Sequence, residues 1–237
     1  MEKKSFKEWF IKSHLIFLIL AIGLYIMKAI LYFSIKEIPV EIHHFHMRID
    51  ELIPFCKYFY VFYVSYYVVP EILLWSLSFH DKNKFWNLFI AVAIANVIAC
   101  ICFVIYQVQM IRPEGYPMDI GLKDVKNISD FFDFAVSQQY IADEGGLNCF
   151  PSLHATMGFL IVLLGIRTSK DEAKLPLWIR LVGIIDGIGI VLSTMFVKQH
   201  YAIDALAGCV LITAVYFSVI AIRKNIAKKK KQKEDTE

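Results

Sequence analysis

Six polar residues stand in three short segments of an otherwise apolar chain: Arg112 beside Pro113, Ser152 and His154 after Pro151, and Lys198, His200 and Asp204 after Ser193. His200 and Asp204 are four residues apart, which puts both on one face of a helix that begins near His200. A carboxylate so placed accepts a hydrogen bond from one imidazole nitrogen and fixes the tautomer, leaving the other nitrogen free as nucleophile or base. Pro151 and Ser152 read as a helix start, with Ser152 able to cap and free amides directed at an anion. His154, in the first turn of that helix, is placed to give a proton to a leaving oxygen. Arg112 offers a fork that fits two phosphoryl oxygens, and Lys198 a second positive charge. Two imidazoles, two cations and a helix amino terminus suit phosphoryl transfer with no metal or other cofactor. A lone His-x-x-x-Asp would simply satisfy itself, so the reading depends on elements that bring all three segments to one depth.

Those elements are membrane spans. Of 237 residues, 57% are hydrophobic and 20% charged, too apolar for one soluble domain. A net charge of +3 is too near balance for a nucleic-acid partner, and 15% aromatic residues with 11 Gly and 7 Pro exclude disorder and fibrous repeats. Six apolar stretches approach the roughly 20 residues that cross a hydrocarbon core: 14–35, 58–79, 87–106, 150–166, 177–197 and 201–222, the fourth being the shortest. The expected fold is an all-α, polytopic membrane bundle forming a single domain over 1–237. It has two longer loops, 36–57 and 107–149, and a lysine-rich tail from about 223.

Orientation follows from the basic residues. The amino terminus, 80–86, 167–180 and the tail hold 17 Lys and Arg against 7 in the three opposite loops, with Lys28 left inside the first span. Both termini are therefore expected in the cytoplasm. All three reactive segments then fall at extracytoplasmic ends of spans, at the face of a cell membrane.

At this point the residues carry a resemblance. Arg112-Pro113, Pro151-Ser152-x-His154 and Ser193-x6-His200-x3-Asp204 resemble the three motifs of the type-2 phosphatidic acid phosphatase superfamily. Phe150-Pro-Ser-Leu-His, Lys198-Gln-His-Tyr-x-x-Asp-x-x-x-Gly208 and Ile49-Asp50-Glu51-x-Ile53-Pro54-Phe55 are most similar to its branch of inositol phosphorylceramide synthase-like proteins. The resemblance implies a six-helix bundle in which His200 attacks phosphorus to give a phosphohistidine, Asp204 orients it, and His154 protonates the departing alcohol. It also implies that Arg112 and Ser152 bind the phosphoryl group. The chain departs from the pattern where a lysine seven positions before the arginine is Ile105, a glycine is Leu153, and an arginine after Ser193 is Thr194. Lys198 is expected to compensate in part for the two missing cations. The implied activity is hydrolysis of a lipid phosphate or pyrophosphate, with head-group transfer between lipids as the alternative.

A transporter or lipid-binding scaffold is a third possibility, supported by intramembrane Glu71 and Asp186. Lys28 can neutralise one of them, and a structural contact between helices is the plainer role for both. His43, His44 and His46 can bind zinc or copper, but a lid or head-group contact fits as well, and no metal is expected. Of five cysteines, Cys56 and Cys149 lie near one face and can pair in an oxidising compartment. Around 129–144, apolar residues including Phe131 and Phe132 alternate with polar ones as in an interfacial helix ending at Gly145-Gly146. That helix is expected to form part of the lipid entrance.

Overall fold

Where apolar residues must enter hydrocarbon, a helix pairs every backbone N–H and C=O within the segment. The computed structural model obeys this along almost the whole chain; it describes residues 6–36, 38–80, 82–116, 118, 120–143, 145–167 and 177–235. The helices are α1 (Phe6–Lys36), α2 (Arg48–Leu52), α3 (Tyr60–Ser65), α4 (Val69–His80), α5 (Lys82–Ile105), α6 (Ile128–Ala142), α7 (Leu153–Arg167), α8 (Leu177–Phe196) and α9 (Ala202–Glu234). Among the described residues, five stretches are long and apolar enough to cross a bilayer: His14–Lys36, Lys57–Leu77, Lys82–Ile105, Leu177–Phe196 and Ala202–Glu234. The shorter apolar helix Leu153–Ile166 stands where the fourth span is expected. At 1.5 Å per residue its 14 residues reach only about 21 Å, less than the roughly 30 Å hydrocarbon core.

The core runs through the middle of the bundle. Phe17, Leu24, Leu74, Phe85, Leu88, Met157, Ile190, Ile212 and Val219 are buried against one another from six helices. Isoleucines 16, 19, 22, 26 and 30 of α1, and Leu181, Val182, Ile185 and Ile188 of α8, face outward. Apolar surface of this extent suits lipid rather than water. Helices α7 and α8 approach closely through glycine. A Cβ at Gly158 would stand 2.8 Å from the Gly187 carbonyl oxygen and 2.9 Å from Ile190, so any side chain there separates the helices.

The expected span 58–79 is interrupted. Between α3 and α4, Tyr67 and Val68 donate to Val64 and Ser65 at 3.2 and 3.0 Å, a tighter three-residue pattern. Pro70 is the cause: it has no N–H to offer, and its ring crowds the carbonyl four residues earlier. Tyr63, Tyr66 and Tyr67, on either side of the break, line the bundle interior.

One end of the bundle is roofed by loops. A two-residue parallel pair joins β1 (Ile42–His43) to β2 (Gln107–Val108), tying the two long loops together. Met110 N–H donates to Gly146 at 2.9 Å, Cys149 N–H to Val108 at 3.2 Å, and Cys56 N–H to Phe196 at 2.9 Å. The helix expected around 129–144 is present as α6, capped by Asn127, whose side chain accepts from Asp130 N–H at 3.0 Å. Gly145 and Gly146 follow it at φ of 88° and 57°. At the other extreme, α9 continues without a break through the lysine-rich tail.

Candidate active site

The Pro-Ser-x-His and His-x-x-x-Asp segments are joined by backbone bonds before any side chain is considered. Ser152 N–H donates to the Asp204 carbonyl at 3.0 Å. Thr156 Oγ1 donates to the Ser152 carbonyl at 2.8 Å and stands 3.3 Å from the Gly208 carbonyl. Gly208 permits this approach, because a Cβ there would collide with the Ser152 carbonyl and stand 3.0 Å from Thr156 Oγ1. A tight turn then presents His200: the Thr194 carbonyl accepts from Gln199 N–H at 2.9 Å and His200 N–H at 3.0 Å, with Lys198 left-handed at φ 51°.

Helix α9 begins at Ala202, so His200 precedes it rather than riding on its face. His200 Nδ1 lies 3.0 Å from the Cys149 carbonyl and 3.8 Å from Asp204 Oδ2. A carbonyl only accepts, so Nδ1 carries the proton and Nε2 presents its lone pair. The tautomer expected from Asp204 is thus held first by Cys149, with the carboxylate beside the ring. Asp204 Oδ2 accepts Tyr201 N–H at 2.8 Å, closing the first turn of α9, while Oδ1 is buried with no hydrogen-bond partner among the described residues.

His154 faces His200 at 5.9 Å between ring centres. It lies among the tyrosines on either side of the break: stacked on Tyr63 at 4.2 Å, tilted against Tyr66 at 4.0 Å and edge-on to Tyr67 at 5.8 Å. Both histidines line a cavity of about 190 Å³ with Lys28, Tyr32, Asp143 and Gln199. That is smaller than the roughly 300–1,000 Å³ of pockets for drug-sized ligands, so it fits a head group with lipid tails left outside. The Tyr63-x-x-Tyr66-Tyr67 spacing, one face of a helix, is a signal for this wall that motif reading passes over. Gln199 had its own signal in the Lys-Gln-His triplet.

The other expected residues stand elsewhere. Ser152 is fully buried and caps α7, its Oγ accepting Ala155 N–H at 3.2 Å. Arg112 binds the carboxyl end of α6: Nη1 donates to the Tyr140 carbonyl at 2.6 Å and Nη2 to the Asp143 carbonyl, with the guanidinium 4.4 Å over the Tyr140 ring. Lys198 Nζ donates to the carbonyls of Asp50 and Ile53 at 3.1 and 2.5 Å. Burial lowers its pKa from the ordinary lysine value. None of the three lines the cavity. Phe131 is exposed and Phe132 packs on Tyr58 at 5.2 Å; α6 reaches the cavity instead through Gln139, Ala142 and Asp143. Burial pushes the Asp143 carboxyl up from its ordinary range, against the opposing pull of Tyr32, Arg112 and Lys36.

Asp50, in the early Ile-Asp-Glu segment, spans two of these parts. Its Oδ1 accepts Ala202 N–H at 2.7 Å and its Oδ2 accepts Met47 N–H at 2.9 Å, fastening the first loop to the start of α9.

Cys149, His200 and Asp204 bring ligand atoms within 4.8 Å of one another. A metal there would need the thiolate, and burial raises the Cys149 pKa well above its ordinary value. The thiol is 3.0 Å from the Gly146 carbonyl, and both Cys56 and Cys149 are free. The histidines of the first loop take separate partners: His43 stacks on Tyr106 at 4.0 Å, His44 Nδ1 meets the Gln109 carbonyl at 3.2 Å, and His46 lies 3.9 Å from Glu51. In the spans, Lys28 pairs with Glu71 at 2.9 Å and Ser65 donates to Asp186 at 2.9 Å. Both acids thus have the interhelical contacts expected of them.

A family model described as the PAP2 superfamily matches residues 38–218. No match was found among curated proteins or among solved structures.

Proposed function

The chain belongs to the PAP2 superfamily, whose activities are those of phosphatases and related phosphotransferases, and on that premise we propose that it hydrolyses a lipid phosphate or pyrophosphate through a phosphohistidine on His200. The observation that carries the reading is the pair of imidazoles facing each other at 5.9 Å across a head-group-sized cavity. His200 Nε2 attacks phosphorus and the bond to the leaving oxygen breaks; protonated His154 gives that oxygen its proton. Neutral His154 then takes a proton from water, whose oxygen attacks phosphorus as the N–P bond breaks. Inorganic phosphate leaves and both imidazoles are restored. Tyr63 and Tyr66 hold the His154 ring in place, and Asp204 offsets positive charge on His200.

Arg112, Ser152 and Lys198 complete the proposed phosphate site mainly as its frame. They fix the end of α6, the start of α7 and the turn before His200. Arg112 Nε, buried without a hydrogen-bond partner among the described residues, is a donor that such a site can still draw on. Phe131 and Phe132 are proposed to border the lipid entrance from the exposed side of α6. The site is proposed to face outward at the plasma membrane, supported by the Lys and Arg excess in the alternate loops. The second reading, head-group transfer as in the inositol phosphorylceramide synthase-like branch, uses the same residues with a lipid alcohol in place of water. It is favoured by the similarity of the Ile49–Phe55 and Phe150–His154 segments to that branch.

Purified chain in detergent, offered phosphatidic acid, a prenyl pyrophosphate and a labelled phospho-head-group lipid, tests both. Phosphate release that disappears in His200→Ala supports hydrolysis, and label moving to a second lipid supports transfer. Neither product from any lipid, or turnover surviving His200→Ala, overturns the reading.

A further inference from the structure

Lys28 is a cation of the cavity that the motifs do not mark. It lies eight residues before the end of α1, about 12 Å along the axis, and its side chain is buried. One N–H goes to Glu71 Oε1 at 2.9 Å, and Nζ stands 5.3 and 5.2 Å from the ring centres of Tyr25 and Tyr66. The same Tyr66 ring lies 4.0 Å from His154, so cation and imidazole share one aromatic wall. Gln199 is 3% exposed, lines the cavity, and its Nε2 has no hydrogen-bond partner among the described residues; His154 Nε2 has none either.

Two further polar residues of the wall, Asn148 and Asp143, are engaged. Asn148 donates to the Tyr32 carbonyl at 2.9 Å and accepts from Gln107 at 2.8 Å. Asp143 accepts from Tyr32 at 2.9 Å and is bound by Arg112, so its charge does not meet an incoming anion unpaired. Buried donors without acceptors are rare, and these converge on one space beside the reacting histidines. Their complement is an anion with several acceptor oxygens.

We propose that Lys28 and Gln199 form the phosphoryl-binding subsite of this cavity, taking a phosphate monoester or pyrophosphate head group by charge-assisted hydrogen bonds while Glu71 holds the ammonium in place. Arg112 and Lys198 each place two N–H donors on backbone carbonyls and stand outside the cavity lining, although Arg112 Nε keeps no partner among the described residues; Lys28 lines the cavity. The inference rests on the phosphoryl-transfer reading above.

The test measures KM for the lipid phosphate, kcat, and competitive inhibition by inorganic phosphate and orthovanadate in the detergent-solubilised full chain. Lys28→Met and Gln199→Leu are each expected to raise KM and weaken both inhibitors by roughly tenfold to hundredfold, the weight of one charge-assisted hydrogen bond. Lys28→Arg retains most of the binding. The double variant Lys28→Glu with Glu71→Lys keeps an ion pair between α1 and α4 but removes the cation from its place on the wall. It is expected to fold, by size exclusion and thermal melting, and to stay insensitive to phosphate and orthovanadate. If the swap instead restores wild-type KM and inhibition, the pair is structural and the inference falls. Wild-type turnover with KM unmoved in Lys28→Met and Gln199→Leu removes this inference alone. No turnover by wild type removes the phosphoryl-transfer reading as well.

Discussion

The two histidines and the two motif cations come from the same set of three short segments, Lys198 only two residues from His200, yet the fold treats them in opposite ways. His154 and His200 point into the cavity, and a nitrogen of His154 lacks a partner among the described residues. Arg112 and Lys198 are turned onto carbonyls of α6 and of the first loop. The difference is chemical. A guanidinium or ammonium next to unpaired carbonyls finds strong acceptors at once, whereas an imidazole among tyrosine rings keeps a free nitrogen. Proximity in sequence to a reactive residue therefore says little about whether a donor is available to a ligand.

Substitutions can break or sharpen this contrast. The largest effect belongs to the histidines. His200→Ala should abolish turnover, by at least about 10³-fold, as loss of a covalent nucleophile does. His154→Ala should cost about 10²–10⁴-fold in kcat, and an activated substrate whose leaving group needs no proton should recover part of it. Equal losses with both substrates would remove His154 from the acid role. Arg112→Ala should act differently, destabilising the fold by about 1.5–3 kcal/mol through the lost charged hydrogen bonds. The melting temperature should fall, and kcat/KM of the remaining folded enzyme should change less than for either histidine. A catalytic loss without a fall in melting temperature would instead put Arg112 on the phosphoryl group. Ser152→Ala removes the α7 cap and should cost about 1 kcal/mol, with turnover reduced only as His154 loosens. Smallest is the double change of Phe131 and Phe132 to alanine. It should shift chain-length preference with kcat near wild type, and unaltered preference would detach α6 from the lipid entrance.

Much of the fold is legible in the amino-acid sequence alone. Span positions follow from apolar length, and the paired histidines and Asp204 from residue type and spacing. Pro70 is equally visible, but a proline there reads as well as a tolerated kink, and only packing shows that the neighbouring Tyr63, Tyr66 and Tyr67 form the His154 wall. The donors of Arg112 and Lys198 cannot be assigned from residue types because their acceptors are backbone carbonyls, and every residue has one. The Cys149 carbonyl on His200 is hidden for the same reason. Asp50 is visible as part of a segment, but its bond to Ala202 spans 152 positions and leaves no local signature. Lys28 is legible only as a charge to be neutralised, since its place on the cavity wall depends on the rotation of α1.

The Lys28–Glu71 pair also bears on how the bundle is held together. Alone in hydrocarbon, a charged side chain at a helix centre costs about 2.5–3.5 kcal/mol on insertion scales. The α1 span thus carries a charge whose partner lies 43 residues later in the chain. In the folded bundle that cost is offset by the Glu71 carboxylate, which ties α1 to α4 across the hydrocarbon.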